Sequence, residues 1–362
     1  MRFISLALFP LAVVAFAPCP NSNNQCVVSS SRRYNVPPPS EDDTVATKEF
    51  ADKEAPPASF YNLQINSAKA ARLAMKDGFK LIEVEFPPLP AAVLEMDDVS
   101  AYDVAQANLR LAVDFAKFFV QDGKKVAILL PDEAELNIAI DNNGGTDTPH
   151  PGVLISSLRK SEEGDDRLFK PEQILLSLFG QGSSGSVRAL DNVDMYICLV
   201  ASAQELPDIE ELTKLDPDAT ICFYNLKLDI LRGDLGAPAF PSKDFQDRFL
   251  STVKPVYYLR TRQYSRSTAK PPFMVNYQGC LFRSYPGQYQ TLLDTGNGRY
   301  RRVQGSNIRP GLGEFKEQLT QALRDEGVLE DEGKTLSFLR TGYKTSTWWE
   351  EEREEASDLW KT

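Results

Sequence analysis

Nine side chains toward the C-terminal end of the sequence are of the kind that hold anions. Along residues 256–264 the two-residue period of a strand puts Tyr258, Arg260, Arg262 and Tyr264 on one face. Arg299, Arg301 and Arg302 adjoin a hairpin turn, and Arg283 and Arg309 fall in the same stretch. From Lys254 to Arg309 the chain holds ten basic residues against one acid, Asp294, a local charge of +9 in a protein whose formal net charge is −11. Guanidinium groups fork onto phosphate and carboxylate oxygens, so the pattern reads as one cationic, aromatic-lined surface for phosphate-bearing or acidic groups. Nucleic acid, an anionic lipid surface and the acidic loop of a protein partner are its candidate ligands. Arginine with stacked aromatics suits single-stranded nucleic acid, but the acidity of the chain and the lack of an RNA-binding signature count against it. The opposing reading is that these arginines pair with acids elsewhere in the same chain.

Other constellations carry less. Gly180-Gln181-Gly182-Ser183-Ser184-Gly185 has the spacing of a dinucleotide loop, in which glycines let a pyrophosphate approach a helix N-terminus. Only nine residues separate Gly185 from the apolar run at Met195, too few for the crossover helix such a loop requires. The loop therefore reads as a linker, and no cofactor is assigned. His150 is the single histidine and lies between Thr148-Pro149 and Pro151-Gly152, so a catalytic triad or zinc site would depend on it alone. Asp132, Glu133 and Glu135 follow a strand, where doubly wound folds place ligands and catalytic groups, and where a solvated helix start also puts acids. Of five cysteines, Cys198, Cys222 and Cys280 lie in the body without metal-ligand spacing and read as small core hydrophobes. No catalytic, metal or cofactor residue is named.

The elements that must position these groups follow from periodicity. Residues 63–76 have helical spacing, and 80–86 alternate like a strand until Pro87-Pro88 stops them. Residues 102–120 repeat the helix, with Leu111, Phe115, Phe118 and Phe119 on one side, and 126–130 form a continuous apolar strand. A polar insertion covers 141–167, with Asn142-Asn143-Gly144-Gly145 and Glu162-Glu163-Gly164-Asp165-Asp166. Strands are predicted at 174–179, 195–201, 221–226 and 256–264, and helices at 207–215 and 245–253. The fold class is α/β, a mainly parallel sheet covered by helices. An antiparallel meander follows at 273–285, 290–295 and 299–304, and then a C-terminal helix that ends at Gly327. Residues 61–327 thus read as one domain, after a proline-rich lead-in at 41–60.

The ends differ from the body. Arg2 precedes an apolar run of fifteen residues, Phe3 to Ala17, the length of a signal-peptide core rather than a membrane span. Residues 19–40 are rich in Ser, Asn and Pro, carry Arg32 and Arg33, and lack acids. Phe16-Ala17-Pro18 resembles the junction of bipartite plastid leaders in diatoms and related algae. Residues 1–40 are therefore predicted to be a two-part plastid leader, with an ordinary secretory signal as the alternative. Their loss moves the formal charge from −11 to −14, and no later run suits a membrane span, so the mature chain is expected in the plastid stroma or at the periphery of the thylakoid membrane. Residues 328–362 form an acidic tail with Trp348, Trp349 and Trp360, which fits docking to a partner or back onto the body.

Residues 71–86, 108–115, Leu130-Pro131-Asp132, Tyr224-Asn225-Leu226, Phe249-Leu250-Ser251, Val256-Tyr257-Tyr258, 279–286 and Arg309-Pro310 together resemble a domain of unknown function in cyanobacteria and plastids. Its plant members include a low-photosystem-II-accumulation protein. The resemblance spans about residues 60–325, while the polar insertion and the acidic tail depart from it. It implies a stromal, non-enzymatic factor assisting photosystem II assembly, with photosystem II subunits or membrane insertion machinery as partners, and it implies no catalytic residues. The basic stretch would then meet an acidic partner or the anionic thylakoid lipid surface. The rival is a doubly wound enzyme with a nucleotide or sugar ligand near Pro131-Asp132 or residues 180–185.

Overall fold

A capped helix opens the fold. The computed structural model describes residues 56–57, 59–94, 96–160, 185–231, 241–268, 271, 273–296, 299–329 and 357–362. The leader, the 174–179 strand, residues 180–184 and most of the acidic tail, Trp348 and Trp349 included, lie outside the described residues. Helix α1 (Phe60–Lys76) begins where the Ser59 hydroxyl accepts the Asn62 N–H at 3.2 Å. Strand β1 (Leu81–Glu85) follows, then a short α2 (Ala91–Leu94) and the long α3 (Ala101–Gln121), which starts in a reciprocal Ser100–Asp103 capping box. Strand β2 (Val126–Leu130) is buried throughout and leads into α4 (Glu133–Asn142). Residues 153–157, which the sequence places in a polar insertion, form β3 (Val153–Ser157) beside β2. A two-residue ladder, β4 (Arg159–Lys160) with β5 (Ser186–Val187), comes next.

The chain then returns to the sheet through β6 (Met195–Cys198), α5 (Leu206–Leu215), β7 (Thr220–Tyr224), α6 (Leu228–Leu231) and α7 (Lys243–Arg248). A 3₁₀ turn at Leu250–Thr252 completes the helical stretch expected at 245–253. Strand β8 (Lys254–Ser267) starts the meander, followed by β9 (Met274–Ser284), β10 (Tyr289–Gly296) and β11 (Arg299–Ser306), and α8 (Leu312–Asp325) lies against it. Among the described residues one nine-stranded sheet runs in the order β11-β10-β9-β8-β1-β7-β6-β2-β3. Every pairing from β8 to β3 is parallel and those within β8–β11 are antiparallel. The fold is thus α/β, with the parallel sheet, meander and C-terminal helix that the patterning predicts.

Strand alternation divides the core into layers. Val126, Ile128 and Leu130 face α1, α3 and α4, while Ala127 and Leu129 face α5 and α7, so β2 is apolar on both sides. Phe115 meets Phe119 at 5.0 Å and Tyr224 at 5.2 Å between ring centroids, and Phe86 meets Tyr224 at 5.5 Å. Each fully buried ring of this stack contributes about 2–3 kcal/mol. A third cluster places Tyr258, Tyr277, Tyr289 and Leu293 under Phe315 and Leu319 of α8. Gly279 permits that approach: a Cβ there would lie 2.5 Å from Leu319 Cδ1 and 2.7 Å from Leu292 O. No helix among the described residues is long and apolar enough to cross a membrane.

Candidate functional site

The carboxyl ends of β1 and β7 and the middle of β8 carry a polar centre that apolar patterning would not place in a core. Ile82 and Val84 face the first layer, so Glu83 and Glu85 point to the opposite side, and both are buried. After β7 the chain turns sharply, with Asn225 and Lys227 both at φ 53. Asparagine tolerates the left-handed region better than most residues. Asn225 is also pinned: its Oδ1 accepts the Phe86 N–H at 2.8 Å and its Nδ2 donates to Asn108 Oδ1 at 2.9 Å. Lys227 is held by its N–H, which donates to Glu85 Oε2 at 2.9 Å. The turn delivers Asp229, the second residue of α6, beneath β8.

Three arginines converge on that one acid. Arg309 Nη2 lies 2.5 Å from Asp229 Oδ2, Arg260 Nη1 lies 3.1 Å away and Arg262 Nη2 3.7 Å. The Tyr258 hydroxyl donates to the same oxygen and accepts from Arg309 Nη2 at 2.9 Å, with the Arg309 guanidinium 4.5 Å above the Tyr258 ring. The Arg309 and Asp229 side chains are 5% and 6% exposed, so this pair is desolvated, while Arg260 and Arg262 are 22% and 25% exposed. Burial opposes the Arg309 charge, and Asp229 and Tyr258 outweigh that, raising its pKa well above the ordinary guanidinium value. For Glu85, burial comes first and the neighbouring Glu83 second, and its carboxyl is pushed up to about 7. A carboxyl poised near neutrality beside guanidinium groups is suited to proton transfer, and equally to a protonated, buried structural contact.

The nine sequence candidates therefore do not make one surface. Tyr258, Arg260, Arg262 and Arg309 gather on Asp229 as an ion-paired, partly buried cluster. Tyr264 packs on Tyr277 at 5.6 Å and Phe315 at 6.3 Å. Arg283 is buried with its guanidinium 4.6 Å from the Tyr289 ring centroid. Arg301 pairs with Glu326 of the α8 end, and Arg302 donates to Gln288 Oε1 at 3.2 Å. Arg299 is exposed at the start of the edge strand β11, beside the half-exposed Tyr300. The pairing of arginines with acids distant in sequence thus describes the centre of the basic stretch, and exposure describes its periphery.

That periphery has a definite shape. Residues 263–267 and 274–278 pair only with each other among the described residues, so β8 and β9 run on beyond the sheet as a two-stranded ribbon. Its tip exposes Phe273 at 63% and Met274 at 56%. Across β10 from β9, β11 is the last strand of the sheet and pairs on one side only among the described residues. Such an edge presents unpaired N–H and C=O groups to a partner strand.

The alternative site is partly explained by helix capping. Asp132 Oδ1 accepts the Glu135 N–H at 3.0 Å, which makes these acids a helix start. Gly185 leads into β5, and His150 Nδ1 lies 2.8 Å from Pro151 O. Cys198 and Cys280 are pushed up to about 12 by burial, and Cys222 is raised as well, so all three thiols are protonated core groups. Among the described residues no group of three His, Cys, Asp or Glu is placed to hold a metal ion.

Sequence reasoning did not find Asp229 or Glu85, whereas the terminal segment docks back onto the body, one of the two outcomes its tryptophans suggest. Trp360 is buried against the body: Arg309 lies 5.9 Å from its ring centroid, its carbonyl accepts the Tyr289 hydroxyl at 3.4 Å, and the Arg309 N–H donates to Lys361 O at 2.7 Å. The signal that was present is Glu83 and Glu85 at alternate positions of an otherwise apolar strand. In comparison with known proteins, residues 57–317 match the family model of a domain of unknown function (DUF1995). No curated protein matches the chain.

Proposed function

Because the chain belongs to the DUF1995 family of domains of unknown function, we propose that it is a stromal, non-enzymatic plastid factor that assists photosystem II assembly by protein or membrane-surface contact. One observation carries this reading: the β8–β9 ribbon ends in the exposed Phe273 and Met274, across β10 from a sheet edge that bears Arg299 and Tyr300. Exposed apolar residues on a projecting ribbon with basic neighbours suit insertion into an acidic partner's groove or the headgroup layer of an anionic membrane. The contact surface is then the ribbon tip and edge, and the arginines around Asp229 hold that surface in place from behind. The photosystem II link and the plastid address rest on the family resemblance and the composition of the leader.

Affinity purification of the tagged chain from detergent-solubilised thylakoids tests the proposal. Photosystem II subunits or a membrane insertase should be enriched over control with the native chain and lost with Phe273→Glu/Met274→Glu. No enrichment with the native chain overturns it.

A second reading, a doubly wound enzyme with a nucleotide or sugar ligand, has one observation in its favour. Val200 takes φ 59 just after β6, a strained conformation for a β-branched residue. It lies at the crevice between β6 and β2, whose onward connections leave to opposite sides of the sheet. A thermal-shift screen with millimolar nucleotides and sugar phosphates tests it, and absence of any response removes it.

A further inference from the structure

Of the two arginines buried among the described residues, Arg309 is ion-paired and Arg283 is not. Arg309 has Asp229, Arg301 has Glu326 and Arg324 has Glu317. Arg283 is 3% exposed, and its Nε and Nη1 have no hydrogen-bond partner. It sits on β9 opposite Tyr258, with Tyr289 at 4.6 Å and Tyr285 at 5.8 Å from its guanidinium carbon. Aromatic faces attract a cation, by about 2 kcal/mol at best when desolvated, but they do not accept the in-plane N–H bonds of a guanidinium edge. An unpaired buried charge costs several kcal/mol, so the rings alone leave the group unsatisfied.

A second buried cation shares one of those rings. Lys254, 5% exposed at the start of β8, places Nζ 5.7 Å from the Tyr285 centroid and 5.0 Å from that of Phe79. Its one hydrogen bond among the described residues goes to Thr362 Oγ1 at 3.4 Å, leaving donors of the ammonium group unused. Burial, and then the charge of Arg283, bring Lys254 down to about 8, so it still carries its charge at neutral pH. The nearby acid Asp77 accepts the Tyr285 hydroxyl at 2.7 Å and forms an ion pair with neither cation among the described residues. The docked C-terminal residues close the region from outside, through Thr362 on Lys254 and the Trp360 carbonyl on the Tyr289 hydroxyl. Two buried cations thus share the Tyr285 ring, and neither has an ion pair among the described residues.

We propose that Lys254 and Arg283 form a buried site for a dianionic tetrahedral oxyanion, with inorganic phosphate as the ligand. Charge selects the class: a dianion neutralises both cations, whereas a carboxylate neutralises one and leaves the other buried and unpaired. Oxygen count selects it again, since guanidinium and ammonium donors both need acceptors and a tetrahedral ion offers several. Burial beneath residues 357–362 favours the free ion over the phosphoryl group of a larger molecule. The site lies away from the ribbon tip and is independent of the assembly reading.

The experiment uses the full chain dialysed free of phosphate and titrated with inorganic phosphate, sulfate, acetate or chloride at matched ionic strength, followed by calorimetry and thermal shift. Phosphate and sulfate should give saturable binding and a rise in Tm, and acetate and chloride neither. Arg283→Met and Lys254→Met should each weaken phosphate at least about tenfold, the loss of a charge-assisted contact. Arg299→Met, exposed and outside the site, should bind as the native chain does. Glycerol phosphate added as a further arm should bind much more weakly than phosphate; equal binding would move the ligand to an exposed phosphoryl group and overturn the buried site. Absence of saturable phosphate binding by the native chain, acetate binding as well as phosphate, or native affinity in either methionine variant would each overturn it. Should Arg283→Met not fold, Lys254→Met and the anion series decide the matter.

Discussion

The guanidinium of Arg309 lies 2.5 Å from the carboxylate of Asp229, across 80 residues of sequence and between two elements that make no sheet contact with each other. Asp229 comes from the four-residue α6 and Arg309 from the connection into α8, so the pair ties the parallel half of the fold to the meander. Arg260 and Arg262 reach the same carboxylate from β8, so three cations share Asp229, with Glu85 acting on Arg260 and Glu83 on Arg309 from further off. That sharing makes Asp229 the residue on which the arrangement depends.

Replacement of Asp229 by Asn should therefore destabilise strongly. Arg260 and Arg262 are about a quarter exposed and can turn toward water, but Arg309 is enclosed and would lose its closest counter-charge. Breaking one side of a buried ion pair costs about 3–5 kcal/mol. Urea unfolding should show a loss of this size, and the double variant Asp229→Asn/Arg309→Met should recover most of it. A loss below about 1 kcal/mol in the single variant would mean that the cluster is solvated and energetically slack.

Glu85 predicts a pH dependence with a definite sign. Its carboxyl rises from 4.5 to about 7 on folding, so the folded state holds the proton more tightly than the unfolded chain does. The stability this contributes is fully present below 4.5 and is lost as pH rises through about 7. The difference is worth about 3 kcal/mol. Glu85→Gln keeps an oxygen to accept the Lys227 N–H and has no proton to lose. Its unfolding free energy should be flatter than the native value between pH 4.5 and 7.5, and should exceed it at about pH 8. Parallel pH curves for the two proteins would show that Glu85 is not the group titrating.

These two residues also mark where the sequence stops being informative. Strands β2, β6 and β7 are legible because burial on both faces leaves short apolar runs between breaks, and the meander is legible because Pro286-Gly287 and the glycines beside Asn297 sit between alternating segments. Glu83 and Glu85 alternate with apolar residues as they would on a half-solvated strand. Only the burial of Glu83 and Glu85 as well as Ile82 and Val84 shows that both faces of β1 are covered. The arginine stripe of β8 is correctly read as one face, yet its neutralisation depends on an acid in a short helix 31 residues before Arg260. No local pattern announces such a pair. Strand β3 was obscured for the opposite reason, five residues of weak pattern flanked by polar loops.

The docked terminus gives a third prediction. Trp360 fills a space beside Arg309 and Tyr289, and the neighbouring Lys361 carbonyl accepts the Arg309 N–H. Trp360→Ala should cost about 3 kcal/mol or more if the docking persists in solution, in the range for burying an aromatic side chain. Hydrogen exchange of the Arg309 amide should accelerate with it, since that N–H loses its acceptor when the segment detaches. Unchanged exchange at Arg309 would mean that the amide is protected without the terminal segment.

Gly279 tests how closely α8 must sit on the meander. A Cβ there meets backbone, Leu292 O at 2.7 Å, as well as the Leu319 methyl at 2.5 Å, so rotation of a single side chain does not relieve the contact. Either α8 lifts or β9 and β10 part, and both disturb the layer of Phe315, Leu319 and Tyr277 that supports the ribbon. Gly279→Ala should destabilise by about 1–3 kcal/mol, the usual cost of overpacking. Because the ribbon is held from this layer, the variant should also weaken binding of the native partner or of anionic vesicles while Phe273 and Met274 remain unchanged. Gly305→Ala provides the comparison, since there the close neighbour is the Arg302 guanidinium, the far end of a flexible side chain. If the two variants lose the same stability, the tight seat of α8 on Gly279 is not what holds the ribbon.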